Sequence, residues 1–223
     1  MKSKTFHIFI GALAGVLLVC CDSDKYFGYN YSAEKLDNRV IVAGQVRDFF
    51  TGQPVANTTV NFGGVITSTL ADGSYQLVYL LQADEGFGRA VPVTFSRDKY
   101  FPLQSSLVIY PQDNSLDARL VYAAPIIRSS TFQDSVCTAT VFDYQGVTDI
   151  DSVFAMVTYV DVDSGYTVPR TFPMPLQSQL DDHTGVFQTV VKDSLDAGRL
   201  DRHRYRIFAI DKSNFTDARF FFF

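Results

Sequence analysis

The 223-residue chain carries 19 Lys and Arg against 24 Asp and Glu, a formal net charge of −5. That balance provides no basic field to neutralise phosphates, so nucleic-acid binding is excluded. Its 20 Phe and 12 Tyr, with no Trp and only 3 Met, favour strands over a helical bundle, because aromatic and β-branched side chains fit a pleated, half-buried surface.

Residues 1–20 read as a secretory signal, with Lys2 and Lys4 ahead of an apolar run from Ile8 to Val19 that is too short for a comfortable membrane crossing. Leu18-Val19-Cys20-Cys21 resembles the bacterial lipobox, which implies signal cleavage and acylation of Cys21. Cys20 is the alternative, but it would put β-branched Val19 before the cut, where a small residue is needed. Residues 21–38 are polar and tyrosine-bearing without an apolar period, as expected of a tether from the lipid to the first domain. The acidic residues after Cys21 resemble the surface-export signal of Bacteroidetes lipoproteins, whereas Asp in that place retains enteric lipoproteins at the inner membrane. The expected address is the cell envelope, lipid-anchored at the outer membrane, on its periplasmic or surface face.

The remainder is longer than one small sandwich needs and suits two. The first, residues 39–124, opens with the β-branched run Arg39–Val46. Thr51-Gly52 and Pro54 then form a turn, and Val55, Val60 and Phe62 supply the next strand's apolar residues. Asp72-Gly73, followed by alternating Tyr75 and Leu77, predicts a hairpin. Gly44-x-Val46-x-Asp48-x-x-Thr51-Gly52-x-Pro54-Val55-Ala56, Val60 and Asp72-Gly73-x-Tyr75-x-Leu77 together resemble the carboxypeptidase regulatory-like domain, a transthyretin-like β-sandwich. Tyr100 falls where that family has Gly-Tyr, with Lys99 in place of the glycine, and Leu116–Leu120 resembles its closing strand. The resemblance implies turns and core but no catalytic residue, since the module has none of its own.

Ala123-Ala124-Pro125 marks a boundary, and 125–223 shows short strands at Ser135–Phe142, Ser152–Tyr159, Thr167–Phe172, Gly185–Val191 and His203–Ile210. Asp143–Val153 and Tyr205–Asp211 resemble immunoglobulin-like or fibronectin-like domains of bacterial envelope proteins, with Tyr205 as a tyrosine corner whose hydroxyl would cap a neighbouring loop. The fold class expected is therefore all-β: two tandem antiparallel sandwiches after a signal peptide and tether. Arg219-Phe220-Phe221-Phe222-Phe223 would be an aggregation hazard if left bare, and is read as a final strand closing a sheet edge in preference to a docking segment.

Chemistry-bearing motifs are sparse. His7 lies in the signal, and His183 and His203 lie in separate polar turns without metal-ligand spacing. Cys137 alternates with Ala139 and Val141 and reads as a small core hydrophobe. No nucleophile elbow or phosphate loop is present, so neither an enzyme nor a cofactor is expected. Acidic residues cluster at Asp161-Val162-Asp163-Ser164-Gly165, at Asp181-Asp182 and at Asp149-x-Asp151. Asp161 and Asp163 resemble the opening of a calcium loop but lack its later bidentate Glu, so an ordinary Asp/Gly turn is preferred and no metal is expected. Tyr144, Tyr166 and Tyr100, with Tyr110, fall in or near turns where a ring could stack on sugar. Asp134-Ser135-Val136, Asp151-Ser152-Val153 and Asp193-Ser194-Leu195 resemble Bacteroidetes O-glycosylation sites. These features fit a non-catalytic adaptor or binding module whose partners are the membrane and an envelope protein. The alternative is a glycan-binding accessory of a polysaccharide-uptake system.

Overall fold

Alternation of buried and exposed side chains turns most of this chain into strands. The computed structural model describes residues 38–82, 86–111, 113–195 and 198–223. The expected signal, Cys20, Cys21 and nearly all of the tether lie outside the described residues. Among the described residues there is no α-helix, only one 3-10 turn at Val147–Asp149.

The N-terminal half contributes β1 (Arg39–Asp48), β2 (Thr59–Phe62), β3 (Val65–Ser68), β4 (Ser74–Leu80), β5 (Ala90–Ser96), β6 (Leu103–Val108), β7 (Asn114–Ser115) and β8 (Ala118–Leu120). One sheet joins β4 to β1, with β7 and β8 on the other side of β1; the second runs β3-β2-β5-β6. Val40, Val42 and Val46 of β1 face Val60, Phe62, Val93 and Phe95 of the opposite sheet in one core, because period-2 alternation places every second side chain inside.

Two details depart from the sequence expectation. Asp72-Gly73 does not close a hairpin: β3 pairs with β2 and β4 with β1, so this turn carries the chain from one sheet to the other. The dipeptide specifies a tight turn, held by the Ser74 N–H and hydroxyl donating to Asp72 Oδ1 at 3.0 and 2.6 Å, but does not choose the strands on either side. The closing segment is also not antiparallel, since β7 and β8 run parallel to β1. Between them the Leu116 carbonyl lies over Gly44, where a Cβ would stand 2.0 Å from its oxygen, so only glycine fits that close approach.

The C-terminal half contributes β9 (Ile126–Gln133), β10 (Val136–Phe142), β11 (Ile150–Asp161), β12 (Thr167–Pro173), β13 (Leu176–Gln179), β14 (Thr184–Val190), β15 (Ser194–Leu195), β16 (Gly198–Leu200), β17 (Arg204–Asp211) and β18 (Thr216–Phe222). One sheet runs β13-β14-β10-β9; the other runs β15-β16-β11-β17-β18, with β12 also on β11. The five strands expected here match β10, β11, β12, β14 and β17 to within two residues at each end. The short, polar β13, β15 and β16 carry no apolar alternation and were not legible.

A second core forms around Ile127, Cys137, Val157, Tyr205 and Ile207. Tyr205 is buried, but its hydroxyl donates to Ser130 Oγ on β9 at 3.1 Å instead of capping a loop, so it ties the two sheets together across the core. β18 pairs with β17 at the sheet edge, and alternation divides the terminal phenylalanines. Phe221 and Phe223 pack on Tyr205, at 5.8 and 5.0 Å between ring centroids, while Phe220 and Phe222 stand outside.

The connection Ala123-Ala124-Pro125 is buried, and Asn38–Phe223 forms one compact unit. Lys99 adopts φ +66°, in the left-handed region that favours glycine, and its ammonium reaches Asp217 at 2.6 Å. Phe50 stacks on Tyr144 at 4.1 Å with rings 6° from parallel, Phe101 meets Phe215 edge-on at 5.2 Å, and Gln145 Nε2 donates to the Tyr122 carbonyl at 2.8 Å.

Candidate functional site

In the C-terminal half an inward-facing aspartate stands at the end of β17 and directly after β10. On β10, Cys137, Ala139 and Val141 point into the core, and the next inward position is Asp143; on β17, Tyr205, Ile207 and Ala209 are followed by Asp211. Asp143 is 0% and Asp211 1% exposed. Between them comes half-buried Asp149, on the 3-10 turn that leads into β11. One oxygen from each of the three carboxylates lies within 4.8 Å of the other two.

The backbone around them is tightly specified. Gly146 takes φ 107° and ψ 156°, a region open essentially to glycine alone, and this starts the turn that brings Asp149 back toward β10. The Asp143 N–H donates to the His183 carbonyl at 2.8 Å and the Val147 N–H to the Asp182 carbonyl at 2.9 Å. The Lys212 N–H donates to the Asp149 carbonyl at 2.9 Å, so the 143–149 loop and the loop after β17 are bonded to each other.

Each buried carboxylate spends only one oxygen on its own turn. Asp143 Oδ1 accepts the Gln145 N–H at 2.7 Å, and Asp211 Oδ1 accepts the Phe215 N–H at 2.7 Å. Oδ2 of Asp143 and Oδ2 of Asp211 are buried with no hydrogen-bond partner among the described residues. Asp48, which ends β1 at an equivalent inward position, differs: its Oδ1 accepts the N–H groups of Phe50 and Thr51 and the Thr51 hydroxyl, and the Tyr100 hydroxyl also bonds the carboxylate.

Burial pushes the Asp143 carboxyl up to about 6, with the charges of Asp149 and Asp211 adding to the rise and the Gln145 N–H and His183 opposing it. Asp211 is likewise raised, first by burial and then by Asp149, against the N–H groups of Phe215 and Ser213. Among the described residues no ion pair reaches any of the three.

The sequence-predicted site residues fall elsewhere. Asp161 Oδ1 accepts the N–H groups of Asp163 and Ser164 and the Ser164 hydroxyl, an ordinary turn between β11 and β12. Tyr166 is 76% exposed beside that turn, its carbonyl accepting the Asp161 N–H at 2.9 Å. Tyr144 is packed against Phe50, Phe142 and Tyr122, and Tyr100 against Tyr122. The length of β11 separates them from Tyr166, on the order of 35 Å at the usual rise per residue, so these three tyrosines do not form one platform. Tyr110 is exposed, with its N–H bonded to Asn114 Oδ1. Cys137 is fully buried, and burial pushes its thiol up to about 11.

The terminal edge carries a second surface. On the outer face of the larger sheet, Phe154 stacks on Phe208 at 4.9 Å. The Arg206 guanidinium lies over both Phe208 and Phe220, at 4.6 and 4.9 Å, and Arg204 lies over Phe220 at 5.0 Å. Phe220 is 53% and Phe222 80% exposed, on a strand that has no further strand beside it in the sheet among the described residues.

No family model and no curated protein matches the chain. Among solved structures, a DUF3823 family protein from Bacteroides ovatus ATCC 8483 is similar at 10% identity over 82% of this chain and 96% of its own, with a TM-score of 0.33. A DUF3823 family protein from Parabacteroides merdae ATCC 43184 is similar at 12% identity over the same shares, with a TM-score of 0.30. BcpA, the major pilin subunit of Bacillus cereus, is similar at 9% identity over 82% of this chain and 67% of its own, with a TM-score of 0.39. At such identities and scores these likenesses transfer neither ligand nor activity.

Proposed function

We propose that this chain is a lipid-anchored, non-catalytic protein of the bacterial cell envelope, held at the outer membrane through Cys21, that binds a protein partner with the β17–β18 edge. The observation that carries the reading is the exposed aromatic and arginine face at that edge. The strand alternation that turns Phe221 and Phe223 inward leaves Phe220 and Phe222 outside, two large rings beside Arg204 and Arg206. An edge strand offers an unused ladder of donors and acceptors, and aromatic and Arg side chains dominate the energetics of protein interfaces. The lipobox-like Leu18-Val19-Cys20-Cys21 and the polar 21–38 segment support the anchored part of the reading. The wide separation of Tyr166 from Tyr144 and Tyr100 favours a protein partner over a sugar platform.

The test places a photo-cross-linking residue at Phe222 of the full-length chain in living cells. The expected result is one stoichiometric envelope protein, lost in a Phe220→Asp, Phe222→Asp variant that still folds, together with release from the membrane fraction on Cys21→Ser. Absence of any protein cross-link, with glycan co-purifying instead, would overturn the adaptor reading in favour of glycan binding. Release on Cys20→Ser but not Cys21→Ser would move the anchor to Cys20.

A further inference from the structure

We infer that Asp143, Asp149 and Asp211 form a binding site for a calcium ion, and that its occupancy locks the junction between the two halves of the molecule. Three carboxylates converge within 4.8 Å, drawn from the end of β10, the 3-10 turn and the end of β17. Two of them are fully buried, and each presents an oxygen that no group among the described residues satisfies.

An unpaired buried carboxylate is among the most costly groups a fold can hold, and three together repel one another as well. At the comparable position in the N-terminal half, Asp48 is bonded by its own turn and by Tyr100. In the C-terminal half, Oδ2 of Asp143 and of Asp211 lack such partners, and the three carboxylates lie within 4.8 Å of one another instead. A cation there removes both the repulsion and the missing partners.

The donor set selects the ion. All three donors are carboxylate oxygens, with no Cys or His among them, which suits a hard cation. They come from two loops, Asp143 and Asp149 from one and Asp211 from the other, and such a set suits calcium's irregular, oxygen-rich shell better than the strict geometry and tightly held waters of magnesium.

The two loops that carry the ligands are also the loops that touch the N-terminal half. Tyr144, next to Asp143, stacks on Phe50, and Gln145 donates to the Tyr122 carbonyl. Phe215, whose N–H is held by Asp211, packs on Phe101. Drawing Asp143, Asp149 and Asp211 onto one ion therefore fixes both loops against Phe50, Tyr122 and Phe101 at the same time, and ties β10 to β17 across the sandwich.

Calcium chloride is titrated into the full-length chain in detergent after chelator treatment, with magnesium chloride as the comparison, by calorimetry and thermal melting. The expectation is one calcium per chain and a Tm rise of roughly 3–10 °C at saturating calcium, from the linkage of ligand occupancy to stability in a chain of this size. Asp149→Asn, at the least buried ligand, is expected to weaken binding at least tenfold, and Asp161→Asn with Asp163→Asn to leave it unchanged. Hydrogen exchange at Gln145, Val147, Phe215 and Ala123 is expected to slow on calcium addition. No heat and no Tm shift in the unmodified chain at 10 mM calcium, about tenfold above the Kd of the weakest extracellular-type sites, would overturn the site. A calcium response retained in Asp149→Asn would overturn the ligand assignment, and tight binding with unchanged exchange would overturn the locking of the junction.

Discussion

Asp217 is the residue whose loss tests the packing between the two halves most directly. Its carboxylate is 5% exposed and accepts Lys99 Nζ at 2.6 Å, Arg219 Nε at 3.1 Å and the Ile127 N–H at 3.1 Å. Burial alone would raise its pKa, but the hydrogen bonds from Lys99 and Ile127 and the charges of Lys99 and Arg219 outweigh it and hold the group below its ordinary value. Tyr122 also faces it and, raised to about 12 chiefly by burial, stays neutral throughout the acid range. In Asp217→Asn the amide oxygen can keep the Ile127 bond while both charge pairs are lost. Because Lys99 and Arg219 are 34% and 48% exposed and can turn to water, that loss is modest, about 1–2 kcal/mol. Asp217→Ala also strands the Ile127 N–H, bringing the cost to about 3 kcal/mol. For a chain of this size these correspond to Tm decreases of roughly 2–8 °C and 6–12 °C. A carboxylate with a lowered folded pKa contributes stability above its unfolded value, about 3.9, and loses it as pH falls through the folded one. The deficit of both variants should therefore be full at pH 5–7 and shrink below about pH 4. Lys99→Gly should be nearly neutral, since it loses the ion pair but relieves a left-handed conformation that costs a side-chain-bearing residue about 1 kcal/mol. Lys99→Ala loses the pair without that relief and should be less stable than Lys99→Gly by about the same 1 kcal/mol. Melts of Asp217→Ala within about 1 °C of the unmodified chain at pH 6, or a deficit undiminished at pH 3, would refute this reasoning.

Gly44→Ala would drive a Cβ to 2.0 Å from the Leu116 carbonyl oxygen and force β7 and β8 away from β1, for a loss of roughly 2–3 kcal/mol in denaturant titrations. Cys137, fully buried with its thiol near 11, should resist a thiol reagent at pH 8 for as long as the chain stays folded and react stoichiometrically in denaturant. Rapid labelling of the folded chain at this position would contradict the packing of β10 against β17.

Much of the β architecture is legible from residue order alone. Period-2 runs such as Cys137-x-Ala139-x-Val141 and Tyr205-x-Ile207-x-Ala209 determine both that a strand forms and which face it buries, because alternation is a property of the extended backbone itself. The alternation of Phe220 to Phe223 likewise determines which rings go in and which stay out once the segment is a strand. Turn dipeptides determine a local φ but not a partner: Asp72-Gly73 bends the chain equally well within a sheet or between sheets, and only the competition for β1 and β2 decided it.

The carboxylate cluster lies at the same divide. An Asp at the inward position that ends an apolar alternation is a signal visible in the sequence, and it occurs at Asp48, Asp143 and Asp211 alike. What distinguishes them is whether the remaining oxygen meets a turn N–H, a tyrosine hydroxyl or two other carboxylates. Asp143 and Asp211 are separated by most of the C-terminal half and meet only because β10 and β17 stand in facing sheets with their ends at the same level. Local order thus determined strands, faces and turns, whose causes lie within a few residues. Tertiary structure alone decided pairing, the junction and the convergence of charge, because those depend on distances that the chain closes only by folding.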